Sequence, residues 1–168
     1  MRKRYFRARS AGFTLIEILI AFGIATSLIV GLLSVYLTCG RSWHRASLAI
    51  DTTREANRCL DQMVYGVGTN MGLRSCSWVT NTGSASDWVL RASNFNGVAW
   101  YDYNPAQTTV VYSNAAGRLV IGTNIVASTV TATGSGVGIT LTVQKSDGQF
   151  TGSGTMSTFV KLRTAMMR

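Results

Sequence analysis

Ile18–Gly40 is a run of 23 residues without one charged side chain, and it limits what the chain can fold into more than any other feature. A hydrocarbon layer of about 30 Å takes roughly 20 apolar residues as helix. Counted from Phe13 to Tyr36, the stretch supplies 24. Backbone groups find no water in lipid and must be satisfied within the segment, so the run is expected to be helical. Ala21, Gly23, Ala25 and Gly31 interrupt its large aliphatic side chains. Small residues let helices approach closely, so the segment suits helix neighbours as well as lipid. Thr14, Thr26, Ser27 and Ser34 add hydroxyls that bond across to a neighbour or back to their own helix.

The flank ahead of this run is basic. Arg2, Lys3, Arg4, Arg7 and Arg9 precede Gly12 with no acid among them. Such a flank stays cytoplasmic while the rest is translocated. A secretory signal peptide has an apolar region of about 7–15 residues, shorter than this one. A lipoprotein signal ending at Cys39 fits Tyr36-Leu37-Thr38 poorly. The whole chain carries +9, which makes nucleic acid a candidate partner. Without the leader the balance is eleven basic to seven acidic residues, or +4, an ordinary surface.

Glu17 is the anomaly, because an acid in a spanning segment is costly and points to function. Cutting after Gly12 would make Phe13 a positively charged terminus one helical turn away, about 6 Å along the axis. The helix N-terminus also favours a carboxylate. Glu17 therefore makes physical sense chiefly in a processed chain. A bland reading, a headgroup-level Glu in water, stands beside it.

The hexapeptide Gly12-Phe-Thr-Leu-Ile-Glu17, with its basic leader and apolar span, resembles the N-terminus of type IV pilins and type II secretion pseudopilins. The resemblance implies a prepilin peptidase that cleaves between Gly12 and Phe13 and N-methylates Phe13. It implies that Glu17 pairs with the terminal amine of an adjacent subunit. It further implies an inner-membrane assembly platform that moves the chain from the membrane into a helical filament. Major pilins often carry a proline in this helix; here Pro105 is the only proline.

Residues 41–68 turn amphipathic. Ala49, Thr53, Ala56, Leu60, Met63, Val64 and Val67 recur at spacings of three and four, the pattern of one buried helical face. Arg41, Trp43, His44 and Arg45 suit a membrane interface. Helix from Phe13 to Val67 would run roughly 80 Å. From 69 onward, short β-branched and aromatic runs alternate with Gly, Ser and Asn. Eight strands are expected: Ser77–Thr80, Trp88–Ala92, Val98–Tyr103, Thr108–Tyr112, Arg118–Ile121, Ile125–Val130, Gly138–Lys145 and Thr158–Thr164. Loops are expected at Ala132–Gly138 and Gly148–Gly154. Trp78, Trp88, Trp100, Tyr101 and Tyr103 are expected to fill the space between helix and sheet. Residues 138–145 and 157–168 resemble the terminal strands of the J-type minor pseudopilins.

The expected organisation is α+β and pilin-like: leader 1–12, transmembrane helix 13–40, its amphipathic continuation 41–68, and an antiparallel sheet head 69–168. The leader would face the cytoplasm and the head the periplasm, where disulfides persist. Cys59 and Cys76 are then a candidate pair, and both the paired and unpaired states stay open. Cys39 cannot reach Cys59 within a straight helix, roughly 30 Å against about 6 Å between bridged α-carbons. No phosphate-binding, zinc-protease or serine-hydrolase motif occurs, and no catalytic residue, metal site or cofactor is assigned. Two other functions stay open. One is a minor tip subunit binding DNA or surfaces through Arg74, Arg91, Arg118, Lys145, Lys161 and Arg163. The other is a static single-pass membrane protein.

Overall fold

The computed structural model describes residues 13–68, 72–84, 86–94, 97–133 and 135–163. The leader, Gly12 included, lies outside them, as does Thr164. The chain divides into two units, Met1–Trp43 and His44–Arg168. One α-helix, α1, covers Leu15–Tyr65.

In the first unit the helix is exposed on every side from Leu15 to Trp43. A Cβ added at Gly23 or Gly31 would meet nothing within 4 Å. Three hydroxyls bond back to their own helix: Thr26 and Ser27 donate to the carbonyls of Phe22 and Ile24 at 2.9 and 2.8 Å, and Thr38 to that of Ser34 at 2.9 Å.

The second unit begins with the rest of α1. Its buried face is Thr52, Ala56, Cys59, Leu60 and Met63. The periodicity thus located the stripe but misplaced part of it: Ala49 is exposed, while Thr52 and Cys59 are buried. Gly66 ends the helix with φ +88°, and its N–H donates to the Gln62 carbonyl at 3.0 Å. That left-handed residue is the usual way to close the last turn. The chain then folds back so tightly that a Cβ on Gly72 would lie 2.3 Å from the Tyr65 carbonyl carbon. A single 3-10 turn follows at Leu73–Ser75.

Two antiparallel meanders form the sheets. The first holds β1 (Trp78–Asn81), β2 (Val89–Asn94), β3 (Gly97–Asn104), β4 (Thr109–Asn114) and β5 (Gly117–Gly122), in that order. The second holds β6 (Ile125–Thr133), β7 (Gly136–Ser146) and β8 (Thr151–Lys161). All eight expected strands exist, but the two expected loops are shorter than expected. Ala132, Thr133 and Gly136–Gly138 belong to β6 and β7, which pair up to Thr133↔Gly136. Thr151–Gly154 pairs along β7 from Ser146 to Val143, so β8 starts seven residues before its expected position.

Glycine explains the second error. A Cβ on Gly152 would stand 2.8 Å from the Leu48 Cβ, and one on Gly154 would stand 3.1 Å from the Thr52 hydroxyl. These glycines admit the helix rather than turn the chain. On β7 the alternation holds: Ile139, Leu141 and Val143 are buried, while Thr140, Thr142 and Gln144 are not.

Trp88, Tyr101 and Tyr103 fill the core. Trp88 donates from Nε1 to the Ser128 hydroxyl at 3.0 Å, and Tyr103 from its hydroxyl to the Ile125 carbonyl at 3.1 Å, so both tie the first meander to the second. Tyr101 donates to the Met63 carbonyl at 3.3 Å and ties β3 to α1. Trp78 and Trp100, expected inside, are 46% and 38% exposed. Trp100 falls between the buried Ala99 and Tyr101 on β3, so the strand's two-residue period turns it outward.

A polar clamp adds to these. Glu55 on α1 pairs with Lys145 on β7 and accepts from the Thr123 hydroxyl. Burial pushes the Glu55 carboxyl up, but the hydrogen bonds and charge of Lys145, with the Thr123 hydroxyl, more than offset this and hold it below its usual value.

Candidate functional site

The site with the most specific chemistry is the start of α1. Phe13 is 83% exposed. Thr14 precedes the helix, and Glu17 is the third helical residue. The Thr14 N–H donates to Glu17 Oε2 at 2.8 Å, and the Thr14 hydroxyl donates to the same oxygen at 2.9 Å. In return the Glu17 N–H points at the Thr14 hydroxyl oxygen at 3.3 Å. This is a reciprocal capping box, in which the residue before the helix and the third residue inside it satisfy each other's orphan N–H groups.

Sequence reasoning missed the role of Thr14, which it treated as one hydroxyl among four. The signal was present: T-x-x-E ahead of an apolar run is the capping-box pattern. The carboxylate is therefore held at the mouth of the helix by its own chain. Both bonds use Oε2, and Oε1 makes no hydrogen bond among the described residues.

Residues 7–33 match the family model of the prokaryotic N-terminal methylation motif. The motif supports a type IV pilin-like family. The matched segment contains the Gly12–Phe13 junction, the capping box and the first 16 residues of the apolar run. No curated protein and no solved structure matches the chain. The fold agrees with the motif: a pilin-like chain has one long apolar N-terminal helix followed by antiparallel sheet. Membrane anchoring belongs to this N-terminus, because α1 is long and apolar enough to cross a bilayer.

The remaining candidates are placed elsewhere. Cys59 and Cys76 are both buried and are separate thiols, so the pair considered from the sequence is not bridged here. Cys59 lies under β5, its Sγ 2.6 Å from where a Cβ on Gly122 would stand, and Cys76 donates to the Gly72 carbonyl at 3.3 Å. Burial, with Glu55 nearby, pushes the Cys59 thiol up to about 12. Burial likewise pushes Cys76 up to about 11. Cys39 is an exposed thiol of the first unit.

His44, read from the sequence as a membrane-interface side chain, lies 3.7 Å from Asp147 and stacks on Phe150. Asp147 accepts from the Phe150 and Gln149 N–H groups, and these bonds hold its carboxyl below its usual value. Among the described residues no group of three or more His, Cys, Asp or Glu side chains is placed to hold a metal ion.

Proposed function

We propose that this chain is a structural subunit of a helical filament, a type IV pilus or a type II secretion pseudopilus. The observation that carries the reading is the methylation motif lying across the Gly12–Phe13 junction and onto the capping box. In this reading a prepilin peptidase removes residues 1–12 and N-methylates Phe13. Residues 13–40 anchor the precursor in the inner membrane, 41–68 continue the helix, and 69–168 form the periplasmic head. The assembly platform then transfers the apolar helix from lipid to the filament core. Its exposed aliphatic surface and bare Gly23 and Gly31 suit both surroundings. The resemblance of residues 138–168 to J-type subunits supports a minor position in the filament.

Glu17 is the assembly residue. Oε2 is committed to Thr14, which leaves Oε1 for the Phe13 amine of a neighbouring subunit. In a dry filament core an unpaired charge of either sign is costly, so the pair selects the axial register of subunits. Glu17→Ala should leave the protein processed and membrane-bound, with filament yield in sheared fractions down at least tenfold. Wild-type incorporation of that variant would sink the assembly role.

A further inference from the structure

The head cations are not equivalent in the fold. Arg118 pairs with Asp102 at 3.7 Å, and Lys145 pairs with Glu55. Arg91 sits 5.9 Å from the centre of the Trp78 ring. The other three, Arg74, Lys161 and Arg163, line a single surface pocket of about 590 Å³. Among the described residues no carboxylate lines it, and none of these three forms an ion pair.

Backbone bonds fix all three positions. Arg74 belongs to the 3-10 turn, closed by the Ser75 and Cys76 N–H groups donating to the carbonyls of Gly72 and Leu73. Lys161 ends β8. Leu162 then donates to the Ser135 carbonyl at 3.2 Å and Arg163 to that of Cys76 at 3.1 Å. Three cations brought together from two segments, without an acid among them, repel one another. Such a cluster gains from an anion with more than one charge.

The apolar wall of the pocket identifies the kind of anion. Tyr65, the last residue of α1, is 62% exposed, and the Arg74 guanidinium lies 5.7 Å from its ring centre. An aromatic ring backed by arginine and flanked by further cations is a stacking platform inside a phosphate-binding groove. A free phosphate or a lipid headgroup would use the cations and leave the ring idle.

We propose that this pocket binds single-stranded nucleic acid, with Arg74, Lys161 and Arg163 meeting successive phosphates and a base stacking on Tyr65. The pocket lies wholly within the second unit, His44–Arg168. Phosphate contacts of this kind carry affinity without sequence preference.

The test uses the full chain in detergent micelles and a fluorescein-labelled oligothymidine, read by anisotropy across a salt series. Three phosphate contacts at about −0.7 each predict a slope of log K against log salt of about −2. The triple variant Arg74→Gln/Lys161→Gln/Arg163→Gln should bind at least tenfold more weakly, with its slope near zero. Tyr65→Leu should weaken binding about fivefold or more with the slope unchanged, because stacking releases no counterions. Arg118→Gln should bind like wild type. If circular dichroism shows the triple variant unfolded, Lys161→Gln alone is measured, and its slope should be shallower by about 0.7. Absence of binding at low salt, or an unaltered slope in the cation variants, would overturn the proposal. So would displacement of the oligonucleotide by equimolar inorganic phosphate, or by phosphatidylglycerol vesicles at matched phosphate concentration.

Discussion

Glu17 holds two jobs that a substitution can separate. One is local: its carboxylate closes a capping box with Thr14. The other is proposed between subunits and needs the negative charge. Glu17→Gln keeps a side-chain oxygen for the Thr14 N–H, since glutamine also serves at this position. It should therefore preserve the helix start yet lose filament yield about as severely as Glu17→Ala. Thr14→Ala does the converse, leaving the charge and removing the cap at a cost of about 1 kcal/mol. Its filament yield should fall severalfold less than that of Glu17→Gln, in the same sheared-fraction immunoblot. The reverse ranking would mean that the box, not the charge, is what assembly requires. Glu17 was conspicuous in the sequence because an acid stands out among aliphatics. Thr14 was not, because a threonine among other hydroxyls looks ordinary until its spacing to Glu17 is considered.

At the level of elements, the helix and the strands were legible and their close approach was not. The apolar run dictated α1, and alternation on β7 gave its buried face. Gly152 and Gly154 misled, because glycine-rich sequence serves a turn and a close helix–sheet contact equally well. Their lack of side chains lets β8 lie against Leu48 and Thr52. Gly152→Ala is the direct check: its Cβ would meet Leu48 side chain at 2.8 Å and Leu48 backbone at 3.0 Å. Overpacking of this kind costs about 1–3 kcal/mol, visible as a lower thermal midpoint by circular dichroism. Gly148→Ala is the comparison at an open site, although its φ of +91° adds backbone strain of its own. The aromatics teach the same lesson. Trp78 and Trp100 looked like core by composition, but strand period decides sides, and it turns Trp100 to solvent.

For the whole molecule, the head is stabilised over a bounded pH range. The Glu55 carboxyl is held below its ordinary value of 4.5, so its contribution is present above that value and is lost as pH falls through the folded pKa. The Cys59 and Cys76 thiols run the other way. Their ordinary value is 9.0, and burial lifts them to about 12 and about 11. Below 9.0 they cost nothing; above it the unfolded chain loses protons that the folded chain retains, so stability declines with rising pH. Thermal midpoints of the full chain in micelles should be flat from about pH 6 to 8 and fall on both sides. In Cys59→Ala/Cys76→Ala the alkaline fall should be shallower. An unchanged alkaline limb in that variant would remove the thiols from the explanation.

The filament reading rests on processing, because the amine that Glu17 is proposed to meet exists only after the chain is cut. The most direct measurement is intact-mass and N-terminal peptide mass spectrometry of the protein recovered from the cell envelope. The expected mature chain starts at N-methyl-Phe13, with residues 1–12 gone. A chain that still begins at Met1, in cells whose prepilin peptidase is active, would contradict the account and leave a static membrane protein in its place.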